Sequence, residues 1–293
     1  MSPQDAQAYC QEVSRKSGSN FYYSFLFLPP ARRALMYTIY AFCREVDNAV
    51  DEPPIGSNPD EQVTQWRAEV AAAYSGTATF PVTVSLSHHL QQVEIPQEYF
   101  QELISGVEMD LTIKRYETFQ DLYAYCYRVA SVVGLICLKV FGTCSEKADE
   151  YAVNLGLAFQ LTNMLRDLAT DAQNDRIYLP HEDFVRFNYS EQDLFALTHN
   201  PAFIEFMKFQ CARAREYYAN ARRVLHDLPK ADRHSLIVAE IMRGVYSRIL
   251  DQIEAQDYRV FEKRVSLPSL NRLGIAAKIW LRSSLSGITA QQA

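Results

Sequence analysis

Two stretches decide how this chain is read: Tyr40-Ala-Phe-Cys-Arg-Glu-Val-Asp-Asn-Ala-Val-Asp51, and its later echo Gln160-Leu-Thr-Asn-Met-Leu-Arg-Asp-Leu-Ala-Thr-Asp171. Each carries two aspartates four residues apart. On a helix that spacing sets both carboxylates on one face, one turn from each other. Like charges so placed destabilise a helix by roughly 0.2–0.5 kcal/mol, so stability is no reason to keep them. A lone DxxxD is usually a solvated helix face. Two copies, each with an Arg just upstream (Arg44, Arg166), point to a cation held between them.

Working outward, Pro29 and Pro30 precede the first stretch and Pro53 and Pro54 follow it, which predicts a helix from about Ala31 to Val50. Leu35, Ile39, Cys43, Val46 and Val50 form an apolar stripe. Tyr40, Arg44, Asp47 and Asp51 form the stripe beside it, so the carboxylates border the buried face, where a cavity could lie. The second stretch repeats the design: Gln160, Asn163, Asp167 and Asp171 are flanked by Leu157, Leu161, Met164 and Leu168.

A length of 293 residues allows two domains, but no Gly/Ser run, low-complexity tract or long charge block divides the chain. One all-α domain over 1–293 is expected, without a solenoid repeat. The net charge is −6 and no basic stripe with interleaved aromatics occurs, so nucleic acid is not an expected partner. An acidic protein that takes an anionic substrate needs local cations, which fits a metal-bridged site. The six cysteines form no CxxC pair and read as small buried hydrophobes in a reducing, cytoplasmic setting. The N-terminus shows no signal-peptide pattern, and no uninterrupted apolar run of ~18 residues predicts a spanning helix. The most membrane-like segment, Leu267 to Leu285, carries Arg272, Lys278 and Arg282. It reads as a buried terminal helix, with peripheral membrane contact for product release as the alternative.

In chain order, residues 3–17 predict a short helix with Tyr9 and Val13 inward. Ser17-Gly-Ser-Asn20 could offer donors to an anion or simply start a helix. The aromatic run Phe21, Tyr22, Tyr23, Phe25, Phe27 must pack the core or line an apolar pocket. The loop Glu52 to Asp60 adjoins the first acidic pair and is a candidate lid. Asn58-Pro59 then starts a helix that ends near Gly76. Helices are expected at 82–93, 96–110, 118–141, 201–226 and 231–256, with Gly106 to Tyr116 breaking the pattern. Small residues late in Leu122 to Gly134 would let another element approach closely. Thr143 with Glu146 resembles a capping box for the second acidic helix. His88 and His89 are adjacent and point to different faces. HExxH, GxSxG, GxxxxGK[ST] and GxGxxG are all absent.

Taken in order, these pieces resemble the squalene/phytoene synthases across nearly the whole chain. They are Ser19-Asn-Phe-Tyr-Tyr-Ser-Phe25, Tyr40 to Asp47 with Asp51, Tyr125-Cys-Tyr-Arg-Val-Ala-Ser-Val-Val-Gly134, and Gln160, Asn163, Arg166-Asp167, Asp171 and Arg176-Ile-Tyr-Leu-Pro180. Within the family, Phe21 to Pro30 and Glu108-Met-Asp-Leu111 look most like the bacterial hopanoid-pathway presqualene diphosphate synthases. The resemblance implies an all-α isoprenoid-synthase bundle around a central cavity and Mg²⁺-dependent head-to-head condensation of two prenyl diphosphates. It implies that Asp47, Asp51, Asn163, Asp167 and Asp171 hold metal. Arg44, Arg166, Arg176 and Tyr178 would hold diphosphate oxygens, and Tyr40, Tyr127, Gln160 and Tyr246 would line the reaction centre. Ser19, Asn20 and Phe21 fall in its diphosphate-contacting N-terminal segment, where relatives usually carry a second Ser or a basic residue near Asn20.

The chemistry agrees. Diphosphate leaves only when its charge is neutralised, which carboxylate-bound Mg²⁺ and Arg donors achieve, and an allylic cation must be kept dry beside aromatic faces. The expected reaction is condensation of two farnesyl diphosphates to presqualene diphosphate. The alternatives are a squalene synthase that goes on with NADPH, or a phytoene synthase on geranylgeranyl diphosphate. A head-to-tail enzyme lacks its DDxxD here, and a non-enzymatic binding protein would have no reason to keep all four aspartates. Tyr37 lies ten residues before Asp47, about 15 Å along a helix. With Phe25 it is the expected floor of the tail pocket.

Overall fold

The computed structural model describes residues 1–54 and 56–288, with side chains through Leu281 apart from that of Asn20. Ile55, the apolar anchor of the candidate lid, lies outside the described residues, and so does the Arg282 side chain. The elements are α1 (Pro3–Lys16), α2 (Asn20–Phe25), α3 (Pro30–Asp51), α4 (Pro59–Ser75), α5 (Pro81–Leu90), α6 (Gln97–Thr112), α7 (Phe119–Cys126) and α8 (Val132–Phe141). They continue with α9 (Lys147–Gln173), α10 (His181–Arg186), α11 (Glu191–Phe195), α12 (Pro201–Asp227), α13 (Lys230–Ser235), α14 (Ile237–Ala255) and α15 (Ser269–Ile288). The fold is all-α, and one isolated bridge, Arg115 to Ile177, is the extended pairing among the described residues.

The second acidic helix, α9, runs through the middle. It packs against α12 on one side, and against α8 and the turn before α8 on the other. That turn, Tyr127–Ser131, is a π-helical step inside one long helix from α7 to α8. Two glycines grip it. A Cβ on Gly156 of α9 would lie 2.6 Å from Ser131 Cα, and one on Gly106 of α6 would lie 2.7 Å from Arg128 Cβ. Further along, a Cβ on Gly134 would meet the Ala152 carbonyl at 3.0 Å. The small residues do permit close approach, as their spacing suggested, and these contacts set α8 antiparallel to α9.

Several local expectations change. The break expected within Gly106 to Tyr116 starts later than Gly106: α6 continues to Thr112, with its apolar stripe Phe100, Leu103, Ile104, Val107 buried, and α7 begins at Phe119. The Thr143–Glu146 capping box does not form. Thr143 Oγ1 donates to the Leu138 carbonyl, and the buried Asp232 carboxylate accepts from the Cys144 and Ser145 amides, both at 3.0 Å. The helix expected at 231–256 is divided at Leu236 into α13 and α14. Tyr9 is on the flank, bonded to Glu45 at 2.9 Å, while Ala6, Cys10 and Ser14 face inward. Cys144 is exposed, unlike the buried Cys10, Cys126 and Cys211. The α15 segment is not a buried helix: Leu270 and Leu281 are 81% and 53% exposed, while Ala276 packs inward. By length and composition Phe119–Phe141 could cross a membrane, but half of its most apolar window is buried inside the molecule as a core helix.

Candidate active site

A cavity of about 780 Å³ runs between α3, α8, α9 and α14, and α2 closes one side. Its mouth carries both acidic pairs. Asp47 and Asp51 come from the C-terminal end of α3, and Asp167 and Asp171 from the C-terminal end of α9. The helices bring carboxylates from widely separated parts of the sequence to one rim, which is what the repeated stretch led us to expect. Arg44, Gln160, Asn163, Arg166 and Tyr178 stand on the same wall, as do Ser19, Phe21, Phe25, Tyr40 and Tyr246.

The rim has more negative charge than it can comfortably hold. Burial, then the charges of Asp51 and Asp110, push the Asp47 carboxyl up to about 7 against the pull of Arg44. Burial, then Asp167 and Asp110, push Asp171 up to about 7 as well. Burial alone would raise Asp167 too, but Arg166 and Arg264 outweigh it and hold that carboxyl below the usual carboxylate range. Arg264 grips Asp167 with two bonds, at 2.6 and 3.0 Å, and Arg176 Nη1 donates to Asp51 at 2.6 Å. The buried Arg166 guanidinium also bonds Asp167 and lies beside the Tyr246 phenol. Arg44 makes a long pair with Glu52, at 3.8 Å.

Segment 175–180 is positioned by backbone pairing. The Ile177 amide donates to the Lys114 carbonyl at 3.0 Å and the His181 amide to Tyr116 at 2.8 Å. In that extended run Ile177 and Leu179 are buried, so the alternate residues Arg176 and Tyr178 face the rim. Tyr178 donates to Asp110 at 3.0 Å, Tyr125 donates to the other Asp110 oxygen at 2.8 Å, and the two rings stack 5.1 Å apart. Burial raises Asp110 above the ordinary carboxylate range despite these bonds and Arg176.

Among the described residues, Asn163 Oδ1 and Ser19 Oγ at this rim are buried without a partner. Asn163 lines the cavity, and its Nδ2 reaches Gln160 Oε1 at 3.4 Å. Oxygen donors with unmet demand, beside carboxylates that repel each other, suit a hard divalent cation. Among the described residues no three acidic, His or Cys side chains already converge on one point. Arg176 and Arg264 splint the rim in the arrangement seen.

Below the rim the wall is aromatic and then aliphatic. Phe21 lies 6.2 Å from Tyr40 and 6.1 Å from Tyr246, and Phe159 lies 4.7 Å from Tyr246, measured between ring centroids. Two expected residues do not reach this wall. Tyr127 stands at the start of the π turn, outside the lining. Tyr37 lies behind Phe25, stacked on Tyr22 at 5.7 Å. The Asn20 side chain lies outside the described residues, although its backbone opens α2. Sequence reasoning missed Asp110 and Arg264. Asp110 continues the stripe Leu103, Ile104, Val107 and so occupies a core position, a signal that could have found it. Arg264 sits between α14 and α15 with no pattern around it.

A helical bundle around a cavity with acidic pairs and arginines at its mouth is the arrangement of an enzyme that takes an anionic substrate through a bound cation. Residues 14–271 match Squalene/phytoene synthase, and the chain belongs to that family. The 15-cis-phytoene synthase of Synechocystis sp. is 35% identical over 296 residues, covering 97% of this chain and 87% of its own. Chloroplastic phytoene synthase 1 of Arabidopsis thaliana is 32% identical over 287 residues, covering 96% and 67%. A crystal structure of a dehydrosqualene synthase in complex with ligand superposes with TM-score 0.84 at 26% identity, covering 97% of this chain and 98% of that one. Squalene synthase HpnC from Alicyclobacillus acidocaldarius gives 0.79 at 26%, covering 87% and 95%. The chain is therefore a head-to-head prenyltransferase with an isoprenoid-synthase fold.

Proposed function

We propose that this chain condenses two geranylgeranyl diphosphates head to head, through a cyclopropyl diphosphate, to phytoene. The observation that carries the reading is one cavity with a charged rim and a long apolar barrel, about 780 Å³, near the upper end for small-molecule sites. The choice of the twenty-carbon substrate follows the phytoene synthases that the sequence resembles at 35% identity over nearly its full length. It replaces the farnesyl-to-presqualene expectation as the first choice. That expectation stays as a second reading because the likenesses at 26% identity are to a dehydrosqualene synthase and a squalene synthase.

Mg²⁺ is the proposed cofactor, with Asp47, Asp51, Asn163, Asp167 and Asp171 as its holders. When bound it would neutralise diphosphate charge. Arg44, Arg166 and Arg176 supply fixed donors to the phosphate oxygens, and Ser19 Oγ is free to do so. Tyr178, held by Asp110, keeps its ring at the rim. Breaking the C–O bond leaves an allylic cation, which the faces of Phe21, Tyr40 and Tyr246 shelter from water. The 2,3-double bond of the second substrate attacks it, and proton loss closes the cyclopropane. Loss of the remaining diphosphate, ring opening of the resulting cyclopropylcarbinyl cation to join the two first carbons, and a second proton loss then give phytoene, with the protons leaving on the released diphosphates. Gln160 stands within this zone; Tyr127 has no contact role in this reading. The exposed Leu270, Leu273, Trp280 and Leu281 of α15, with Lys278 on the same helix, are the proposed peripheral membrane face for releasing an apolar product.

The test is kcat/KM for farnesyl and geranylgeranyl diphosphate with Mg²⁺, with and without NADPH, with products identified by mass. A preference for the twenty-carbon substrate and an NADPH-independent hydrocarbon are expected. A preference for farnesyl diphosphate with presqualene diphosphate as product would install the second reading.

A further inference from the structure

We infer that Tyr151, tethered by Glu240, is the floor of the tail pocket and sets the longest prenyl chain the enzyme accepts. The substrate class rests on the reading above; the location of the floor does not.

The argument starts from direction. Asp167 marks the rim on α9, and Tyr151 lies sixteen residues earlier on the same helix, about 24 Å away at 1.5 Å per residue. It is the first residue of α9 to line the cavity. Because α8 runs antiparallel to α9, Phe141 at the end of α8 lies at the same low end and also lines the cavity. Met36, early in α3, and Leu236, just before α14, complete this end. By contrast, Tyr37 is off the wall, and the distance from it to Asp47 spans only about 15 Å.

Tyr151 is also built to stay. Its side chain is fully buried, and its hydroxyl donates to Glu240 Oε1 at 2.9 Å. Arg243 Nε donates to both Glu240 oxygens at 2.9 Å, and its Nη2 lies 2.8 Å from Oε2. A longer tail would have to turn the ring away. That would strip a mostly buried carboxylate of a donor and set hydrocarbon against a buried ion pair, both costly moves. A Leu or Phe floor could yield by changing rotamer; this one is anchored. Gly134 against Ala152 closes the wall at the same level, so a tail cannot slip past between α8 and α9.

The experiment compares the full chain with Tyr151→Ala and with Tyr151→Leu, which leaves a smaller void if the Ala variant fails to fold. The readout is kcat/KM, with Mg²⁺, for farnesyl, geranylgeranyl and geranylfarnesyl diphosphates. The wild-type preference tests the substrate reading. The change in preference between wild type and variant tests the floor, whichever substrate wild type favours. The expected result is a shift of about tenfold or more toward the next longer substrate, with longer hydrocarbon products, since one five-carbon unit exceeds the methylene differences that pockets already discriminate. Glu240→Gln, which weakens the tether and keeps the ring, should shift the ratio the same way by a smaller factor. Folded Tyr151 variants whose ratios stay within about twofold of wild type would overturn the proposal.

Discussion

The two ends of the cavity are built on opposite principles. At the rim, Asp47 and Asp171 are pushed up to about 7, Asn163 Oδ1 and Ser19 Oγ are buried unpartnered, and borrowed arginines hold Asp51 and Asp167. At the floor, Tyr151, Glu240 and Arg243 satisfy one another, Asp232 ties the Cys144–Ser145 amides, and glycines bring α8 and α9 into backbone contact. One end forgoes stability and the other supplies it. Local rules broken at one end of an otherwise consistent fold mark the functional end.

The largest effect should come from the rim. Asp47→Asn and Asp167→Asn should each reduce turnover with Mg²⁺ by at least about a hundredfold, the scale of losing one strong electrostatic contact in a site, with the helical circular dichroism intact. The metal-free variants should then part company. Asp47→Asn relieves a crowded charge and should melt higher than wild type. Asp167→Asn leaves the buried Arg166 without its carboxylate and should melt lower. Near-normal turnover in either variant would show that the rim does not hold the metal.

The next effect lies in the packed half. Gly156→Ala puts a Cβ 2.6 Å from Ser131 Cα, where two backbones meet and neither can yield cheaply. Overpacking of this kind costs about 1–3 kcal/mol or more, seen as a lower midpoint in thermal unfolding. An unchanged midpoint would mean that the π turn does not sit against α9.

The remaining effect is a pH slope. Asp47 and Asp171 are pushed up to about 7 in the fold from an ordinary value of about 3.8 in the unfolded chain, so between those values the folded state binds more protons. Stability of the metal-free protein should therefore be greatest below the unfolded value as far as these two groups go. It should fall as pH rises, with the loss complete above about 7. Melting curves at about pH 5 and about pH 8 measure this slope, and Asp47→Asn should flatten it. A slope unchanged in the variant would separate Asp47 from the effect.

How much of this could be read from the residues follows the same divide. The rim was legible because its motif offends a simple rule: paired carboxylates on a helix face have a cost that invites a reason. The fold class was legible because apolar spacing keeps a helical period from end to end. The floor was not legible, because Tyr151, Phe141 and Leu236 look like any core residues, and only tertiary packing decides which of them faces a void. Tyr37 illustrates this: it continues the Tyr40–Arg44–Asp47 stripe, yet Phe25 and Tyr22 stand around it and keep it off the wall. The role of Asp110 was hidden for a related reason: it is a core position satisfied by two tyrosines from other segments, a pairing that only tertiary packing creates.

Head-to-head joining inside this cavity can be tested directly with geranylgeranyl diphosphate carrying carbon-13 at its first carbon, incubated with the protein and Mg²⁺. The account predicts a hydrocarbon with two labels per molecule, both in its central double bond, seen as one enhanced olefinic carbon line whose attached protons show the second-order splitting of two bonded equivalent carbon-13 nuclei. Labelled alcohol alone, or a product whose labelled carbons are not joined, would contradict it.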